Sequence, residues 1–422
     1  MMRKYILIIL FFSAIFQLKS QTITLQMCRD SAVSNYPNIR QILLNNETYE
    51  LNIKNIKTNY YPKLNLNGQA SYQSDVTKIP DMPLPAFDVP EISKDWYKIN
   101  LDIEQMIYDG GITAGQKKVE AARYEISDQK IEVELYGLKE RINQLFFNIL
   151  FLRKNIEVLE VLHQNLETRI KDAQVAFENG MLLSSDVDAL RVELYRAEQK
   201  IVEKKEDISA LIASMNELTH LNIHSADDLI VPDIKLDNFD FVNNRPEYIL
   251  LSKQQAQVLA LKSLTKSKRN PVFMAFGQAG YGRPGYDMLN DNFDDYYMIG
   301  ARLHWNIWDW GKVKREKQVF DIQNNIINTQ RETFNQNLKA DWHKRIADIE
   351  KYEKIIGRDQ EIVRLQKNVV ETVDHQLKNG TITSTGYLIE LNKMLEARLN
   401  LEAHKLQLIY AKYQYLTSIG NL

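Results

Sequence analysis

Apolar residues recur along much of the chain at alternating spacings of four and three. The clearest run covers residues 131–177, where only His163 is out of character. Such a pattern is typical of a coiled-coil seam, and additional apolar residues beside it widen the buried stripe. No proline interrupts this part of the chain, and a proline inside a helix costs about 3 kcal/mol. The pattern therefore predicts one long helix over residues 112–178.

A turn and a return helix follow the long helix. Asn179 and Gly180 favour the left-handed conformation that ends many helices, and Ser184 or Ser185 is placed to cap the returning helix. We therefore predict a helical hairpin with a tip turn at Asn179 and Gly180. The return helix runs to about Leu221.

The second half of the chain repeats the plan of the first half. Tyr108-Asp109-Gly110-Gly111 is matched by Trp308-Asp309-Trp310-Gly311. Other matching residues keep the same separation in both halves: Pro37 to Pro62 and Pro246 to Pro271, and Gly111 to Gly180 and Gly311 to Gly380. Self-similarity at a fixed offset is the signature of a structural repeat.

The duplication predicts two structural repeats, residues 21–240 and 241–422. Each holds a helix, a β-hairpin and a long helical hairpin, and a linker separates the copies. The helices that precede the β-hairpins are predicted over roughly residues 25–60 and 241–269. The predicted segments are the β-hairpins 61–108 and 271–308, the helical hairpins 112–221 and 312–420, and the linker 222–240. The second tip turn falls at Asn379 and Gly380, with Ser384 after it.

Strict alternation of polar and apolar residues identifies the strands of both hairpins, although the strand after Pro271 alternates less cleanly. Alternation over about ten residues is typical of a transmembrane β-barrel strand, which turns its apolar face to lipid and its polar face to the lumen. The residues predicted to face the lumen are Lys63, Asn65, Asn67, Lys98, Asn100, Asp102, Glu104, Arg302 and His304.

Aromatic residues at the strand ends distinguish this hypothesis from a soluble hairpin packed on a core, because amphipathic rings favour the two membrane interfaces. One predicted level holds Tyr60, Tyr61, Tyr108, Trp308 and Trp310, and the other holds Tyr72, Trp96 and Tyr281. Four strands cannot close alone, and lipid does not tolerate open edges. The barrel is therefore shared between chains, as a dimer of eight strands or a trimer of twelve.

The start of the chain reads as a secretory signal peptide. Arg3 and Lys4 precede an apolar run from Tyr5 to Phe16, which is too short to span a membrane, and we place the cleavage after Ser20. The formal net charge of the whole chain is −2, and removal of the basic leader makes it more negative. This balance argues against nucleic acid as a partner.

No constellation for catalysis stands out. His220 and His224 have the spacing of a helical metal pair, but no third ligand is near. A phosphate loop, a nucleophile elbow and a clustered carboxylate pair are all missing from the sequence. We therefore predict neither a cofactor nor an enzymatic activity. The lone Cys28 has no partner for an internal disulfide.

The ordered motifs resemble the TolC family of outer-membrane efflux proteins over nearly the whole mature chain. They are the opening Leu25 to Pro37, the strand starts at Tyr61-Pro62 and Asn270-Pro271, the two Asp-containing strand exits, and the two Asn-Gly turns with their downstream serines. Each motif alone is weak, whereas their order, duplication and spacing are specific. The predicted fold is accordingly mainly α, with a small β part.

The resemblance implies a homotrimer with a twelve-strand barrel in outer-membrane lipid and a helical tunnel in the periplasm of a Gram-negative bacterium. It also implies partners, namely a periplasmic adaptor at the tip turns and an inner-membrane transporter of the resistance-nodulation-division type. Carboxylates after the second tip turn narrow the inner mouth in this family. The gate candidates here are Asp186, Asp188, Tyr387 and Glu390. For the three carboxylates, ordinary helix capping and solvation is the alternative interpretation, and the sequence favours it.

The sequence therefore predicts a passive outer-membrane channel that is the exit duct of a tripartite efflux pump. Two alternatives stay open. A channel of the same architecture could serve type I protein secretion or metal efflux. A periplasmic coiled-coil tether would use the same helices, but it has no need for strands with aromatic girdles.

Overall fold

The computed structural model describes residues 22–77, 92–236 and 238–421, so the predicted signal peptide lies outside the described residues. Within these ranges helices dominate. The α-helices are α1 (Leu25–Asn35), α2 (Arg40–Lys57), α3 (Ile112–Glu178), α4 (Ser184–Thr219), α5 (Pro246–Ser267), α6 (Lys312–Lys378) and α7 (Ser384–Ile419), with short 3-10 turns at Pro37–Ile39, Thr58–Tyr60 and Ala226–Asp228.

The two predicted helical hairpins have matching lengths. Helices α3 and α6 each contain 67 residues, and their return helices α4 and α7 each contain 36 residues. Most of the predicted seam is buried, as at Ile142 and Ile149, which are 0% exposed. Phe177, the last residue of the predicted seam, is 41% exposed instead, because it lies at the end of α3 beside the tip turn.

Three helix boundaries differ from the prediction. The expected helix over residues 25–60 is divided between α1 and α2, because Pro37 starts a separate 3-10 turn. Helix α5 begins at Pro246 rather than near 241, since proline suits the first turn of a helix but not its interior. Helix α4 ends at Thr219, where His220 adopts a left-handed φ of 56°.

Four strands form one antiparallel sheet in the order β1-β2-β3-β4. They are β1 (Lys63–Tyr72), β2 (Asp95–Tyr108), β3 (Val272–Arg283) and β4 (Asp294–His304). Strands β2 and β3 pair with each other, so the two predicted hairpins join edge to edge. Trp305, which the alternation assigned to β4, lies just past its end, and its indole donates to Arg269 O at 3.0 Å.

The chain divides into two compact units, and each contains segments of both repeats. One unit comprises the described parts of residues 1–41, 130–249 and 332–422, and the other comprises residues 42–129 and 250–331. The second unit holds the sheet and most of α2 and α5. The first unit holds α1, α4 and α7.

The core of the first unit is built mainly by the long helices. One cluster centres on Phe146, Phe147 and Leu150 of α3 and includes Leu25 and Cys28 of α1. A second cluster lies near the tip turns and takes apolar residues from α3, α4, α6 and α7, among them Leu166, Leu190, Val373 and Leu391. Every helix of the two hairpins thus contributes to one core near the tips.

Candidate functional site

The residues predicted to face a lumen do share one face of the sheet. In the register, Lys63 pairs with Glu104 and Glu104 pairs with Phe276, so the polar face continues from β1 into β3. Paired residues of adjacent strands lie on the same side of a sheet. The other predicted members of this face are placed in the same way: Asn65 opposite Asp102, Asn67 opposite Asn100, and Lys98 opposite Gln69.

Asp102 is the centre of a hydrogen-bond network on the polar face. Its Oδ2 accepts from the Asn100 amide at 2.8 Å and from the Asn67 amide. Its Oδ1 accepts from Gln278 Nε2 at 2.6 Å. Charge-assisted hydrogen bonds of this kind are stronger than neutral ones. The network therefore links three strands and holds the carboxylate in place.

On β3 and β4, the polar face carries a cation beside an aromatic ring. Arg302 pairs with Met274 across β3 and β4, and its guanidinium lies 5.1 Å from the centre of the Phe276 ring. His304 pairs with Val272 at the end of β4. Phe276 pairs with Glu104 and lies two residues from Met274 on β3. Arg302 and His304 therefore lie on the same face of the sheet as Glu104.

The opposite face of the sheet is apolar and uncovered. Tyr297, Ile299 and Leu66 are 77%, 81% and 70% exposed. At its loop end, Phe293 stacks on Tyr281 with ring centres 5.7 Å apart and approaches Tyr97 at 6.2 Å. These rings form an aromatic band where one was predicted, although Tyr97 and Phe293 were not among its predicted members.

Trp96 was predicted to belong to that band and lies on the other face. It pairs with Ser71, which the alternation assigns to the polar face, and Lys98 Nζ lies 5.2 Å from the centre of its ring. The physical reason is the period of two along a strand, which puts Trp96 on the side of Lys98 and Tyr97 on the side of the apolar residues.

The two tip turns have the same backbone geometry. Gly180 and Gly380 adopt left-handed φ values of 74° and 67°. The amide of Gly180 donates to Phe177 O at 2.9 Å, and the amide of Gly380 donates to Leu377 O at 3.0 Å. A Cβ on either glycine would meet nothing within 4 Å, so it is the positive φ that requires glycine at both positions.

Neither predicted serine caps a return helix. The N-cap of α4 is Leu183, which has no capping oxygen, and the N-cap of α7 is Thr383, whose hydroxyl accepts from the Gly386 amide at 3.2 Å. Ser184 and Ser384 are instead the first residues of their helices. Ser384 is 0% exposed, so it is part of the packing of the tip.

Asp186, a gate candidate, connects the two tip turns. Its Oδ2 accepts from the Leu183 amide at 3.3 Å, and its Oδ1 accepts from the Ser384 amide at 3.2 Å. The carboxylate thus bonds back to the N-cap residue of α4 and to the start of α7 at the same time.

The carboxylates of Asp188 and Glu390 contact different partners. Asp188 is exposed and approaches Arg191 at 3.6 Å on its own helix. Glu390 accepts from Gln366 Nε2 at 2.9 Å and from Lys393 Nζ at 2.7 Å. These hydrogen bonds, with that from Lys393 contributing most, lower the pKa of Glu390.

Tyr387 is buried beside an ion-pair network that sequence reasoning missed. Arg169 Nε lies 2.9 Å from Asp374 Oδ1, and Lys378 Nζ lies 3.2 Å from Asp374 Oδ2. Arg169 also pairs with Asp172 at 3.0 Å. Burial raises the pKa of Tyr387, while the nearby Arg169 opposes the rise. Here α3, α6 and α7 meet through charged groups next to the tip core.

Two observations bear on other classes of site. Within the described ranges, no group of three or more His, Cys, Asp or Glu side chains is arranged to hold a metal ion. None of the helices in the described part of the chain is both long and apolar enough to cross a membrane.

The first repeat carries a sequence match to a known family. Residues 28–216 match the sequence model of the family described as outer membrane efflux protein. The resemblance to the TolC family of outer-membrane efflux proteins is confirmed. No curated protein sequence matches this chain.

Solved structures of outer membrane proteins and channels show the same fold over 94% of this chain. The outer membrane protein VceC from Vibrio cholerae aligns over 96% of its own length with a TM-score of 0.70 and 12% identity. The CmeC outer membrane channel of Campylobacter jejuni aligns over 85% of its length, with a TM-score of 0.68 and 13% identity. The open state of the Neisseria gonorrhoeae MtrE outer membrane channel aligns over 88%, with a TM-score of 0.65 and 15% identity.

These likenesses confirm the predicted fold class, mainly helical with a small antiparallel sheet. The predicted outer-membrane location agrees with the description of the family. The structures that share the fold are described as outer membrane proteins and channels, not as enzymes.

Proposed function

We propose that this chain is a trimeric outer-membrane channel and the exit duct of a tripartite efflux pump, through which solutes leave the periplasm passively. The observation that carries the proposal is the sheet, whose two faces differ in polarity. One face has charged and amide side chains around Asp102, and the other exposes apolar residues along all four strands.

The uncovered apolar face fits contact with lipid. A soluble protein rarely exposes a large continuous apolar patch, because each Å² costs about 25 cal/mol relative to burial. On this sheet the exposed apolar residues come from every strand: Leu64, Leu66, Ile99, Leu101, Ile103, Phe273, Tyr281, Tyr297, Ile299 and Leu303. Strands that alternate in this way face lipid on one side and water on the other in membrane barrels.

The edge strands explain why the channel is an oligomer. Strands β1 and β4 are the outer members of the sheet, and each presents one edge of main-chain groups without a strand partner in the described chain. Unpaired main-chain groups are too costly in hydrocarbon. We infer that β1 of one subunit pairs with β4 of the next, so that three chains close a barrel of twelve strands.

The tip turns are the proposed docking site of a periplasmic adaptor, which connects the channel to an inner-membrane transporter of the resistance-nodulation-division type. Met181 and Leu183 are 62% and 70% exposed at the first turn. A groove of about 290 Å³ lies between the two turns and is lined by Gly180, Gly380 and Thr381 among others. Exposed apolar side chains beside a groove suit a helical partner.

The ion-pair network near the tips is the proposed closure of the channel. Arg169 of α3 and Asp374 of α6 join the two helical hairpins, and Tyr387 of α7 packs beside them. An adaptor that separates the hairpins has to break this pair. Asp186 contributes a second bond between the hairpins through the Ser384 amide.

Native mass spectrometry of the detergent-extracted protein, combined with planar-bilayer recording, tests the proposal. We expect a trimer that forms ohmic pores. A monomer that is soluble without detergent would overturn the channel and favour the coiled-coil tether. Cargo assays with drugs, metal ions and an exported protein then separate the efflux duct from the two other kinds of channel.

A substitution at Asp374 tests the proposed closure separately. Asp374→Asn removes the charge that holds Arg169, so we expect a higher open probability in bilayers. Glu371→Gln is the matched control, because Glu371 lies one turn earlier on α6 in an exposed pair with Lys367 at 3.7 Å. An exposed pair contributes little. Equal open probabilities for the two variants would remove Asp374 from the closure.

A further inference from the structure

The loop between β3 and β4, residues 284–293, folds back over the polar face of the sheet. Pro284 and Gly285 are buried, and a Cβ on Gly285 would lie 3.8 Å from Tyr296 Cδ1. The Tyr286 hydroxyl donates to Gln278 Oε1 at 2.6 Å, although Gln278 lies well inside β3. The chain therefore turns Tyr286 toward the strands rather than away from them.

Hydrogen bonds fix this position. Gln278 donates from its amide nitrogen to Asp102 Oδ1 at 2.6 Å, and Asp102 is held in turn by Asn100 and Asn67. The bonds thus run from β1 across β2 and β3 to Tyr286. Near the other end of the loop, Asp291 Oδ1 accepts from the Ser93 amide at 2.9 Å. A loop that is bonded at two places has few alternative conformations.

Aromatic rings gather where the loop meets the sheet. The ring centres of Tyr286 and Tyr296 are 4.7 Å apart, with an interplanar angle of 62°. The Tyr296 ring lies so close to Gly280 that a Cβ there would collide with it. Trp96 lies on the same face of β2, beside Lys98. We call Trp96, Tyr286 and Tyr296 the aromatic collar.

The collar lies at the loop end of the polar face. Trp96 is the second residue of β2, and Tyr296 is the third residue of β4. Gly280 lets the Tyr296 ring lie flat against β3, whereas Tyr286 stands on the edge of that ring and remains 49% exposed. Tyr286 is therefore the most exposed member of the collar.

We propose that the aromatic collar is the constriction of the outer mouth and that Tyr286 sets its width. The inference rests on the proposed channel, in which the polar face lines the lumen and each of the three subunits contributes one collar. Three tyrosine side chains then converge on the conduction path. The aromatic rings exclude bulky solutes there by size. Each Tyr286 ring is held in position because its hydroxyl donates to Gln278.

Thiol modification of the intact trimer during bilayer recording tests the collar. Tyr286→Cys is exposed to a charged methanethiosulfonate reagent, and we expect the current to fall in three steps, one for each subunit. The native protein is a clean background, because Cys28 is fully buried and burial raises its pKa to about 12. Its thiol therefore does not react.

Phe293→Cys is the matched control. It is an aromatic residue of the same loop with nearly the same exposure, 47%, but it stacks on Tyr281 on the apolar face. Its modification should leave the current unchanged. If Tyr286→Cys does not assemble, Tyr296→Cys from the same collar replaces it, with the same three-step loss expected.

The outcomes separate the collar from the channel. A native protein without pores overturns the proposed channel, and the collar with it. Conducting pores whose current is unaffected by modification at 286, or is reduced equally by modification at 293, overturn the collar and leave the channel standing. A stepwise loss at 286 alone supports both.

Discussion

The two repeats start their long helices in the same way but in different surroundings. Asp109 accepts from the Gly111 amide at 2.8 Å and the Thr113 amide at 2.6 Å. Asp309 accepts from the Gly311 and Val313 amides at 2.9 and 3.0 Å. The duplication has thus kept the hydrogen bonds that satisfy the first turn of a helix.

The difference lies in what surrounds each carboxylate. Asp109 is 5% exposed and also accepts from the Tyr60 hydroxyl at 2.8 Å, whereas Asp309 is half-buried. One turn further, Gly115 approaches Leu264 of α5, while its counterpart Arg315 donates to Trp310 O at 2.9 Å. Repeats therefore conserve main-chain geometry and diverge in packing, so equivalent substitutions should have unequal costs.

The largest loss of stability is expected for a substitution at Gly115. A Cβ there would lie 2.8 Å from Leu264 Cδ1 and 3.3 Å from the main-chain Cα of Leu264. Gly115→Val should therefore destabilise the protein by about 1–3 kcal/mol through overpacking. The measurement is the thermal midpoint of the detergent-solubilised protein, followed by circular dichroism.

Gly137 of the same helix is the control for this substitution. It is exposed, and a Cβ on it would meet nothing within 4 Å. Gly137→Ala should stabilise α3 by about 0.5–1 kcal/mol, since alanine is the better helix former. Similar losses in the two variants would show that the contact between Gly115 and Leu264 is not a tight one.

The next largest difference in stability is expected between substitutions of Asp109 and Asp309. Asp109→Ala should cost about 1–2 kcal/mol, the upper range for an N-cap, because it leaves buried donors without an acceptor. Asp309→Ala should cost less, since water replaces the lost acceptor at the more exposed site. Hydrogen exchange of the Thr113 and Val313 amides measures each opening separately. Equal changes at both amides would contradict the role assigned to burial.

The same comparison depends on pH. Burial opposes ionisation of Asp109, but hydrogen bonds from Thr113, Tyr60 and Gly111 outweigh it and lower its pKa. A depressed folded-state pKa means that the stabilisation is complete above the ordinary value of about 4 and is lost as pH falls through the folded value. The stability difference between native protein and Asp109→Asn should therefore shrink below that pH.

Much of this architecture follows from periodic patterns in the sequence. The spacing of Ile142 and Ile149 reports burial on a helix seam, and the alternation around Asp102 reports the polar face of a strand, because both patterns repeat locally. Trp96 shows the limit of an argument from residue type. An aromatic residue at a strand end suggests a membrane interface, but its position in the register places it beside Lys98 on the polar face.

Contacts distant in sequence were the ones that patterns did not reveal. Arg169 and Asp374 meet only because two hairpins pack side by side, and neither residue is unusual within its own helix. Tyr286 reaches Gln278 only because the loop folds back. The sequence could have revealed Gln278. Tyr281, Ala279 and Gly277 share the apolar face of β3, so Gln278 between them lies on the polar face.

The smallest effect expected from the comparison concerns the caps at the tips. Thr383 caps α7 with its own hydroxyl, whereas Leu183 occupies the same place before α4 and has no capping oxygen. Leu183→Thr should stabilise α4 by about 0.5–1 kcal/mol. The reciprocal Thr383→Leu should destabilise α7, because it removes the oxygen that accepts from the Gly386 amide. If both changes leave exchange in their first turns unaltered, then packing of Ser384 and Asp186 determines the tip, and capping does not.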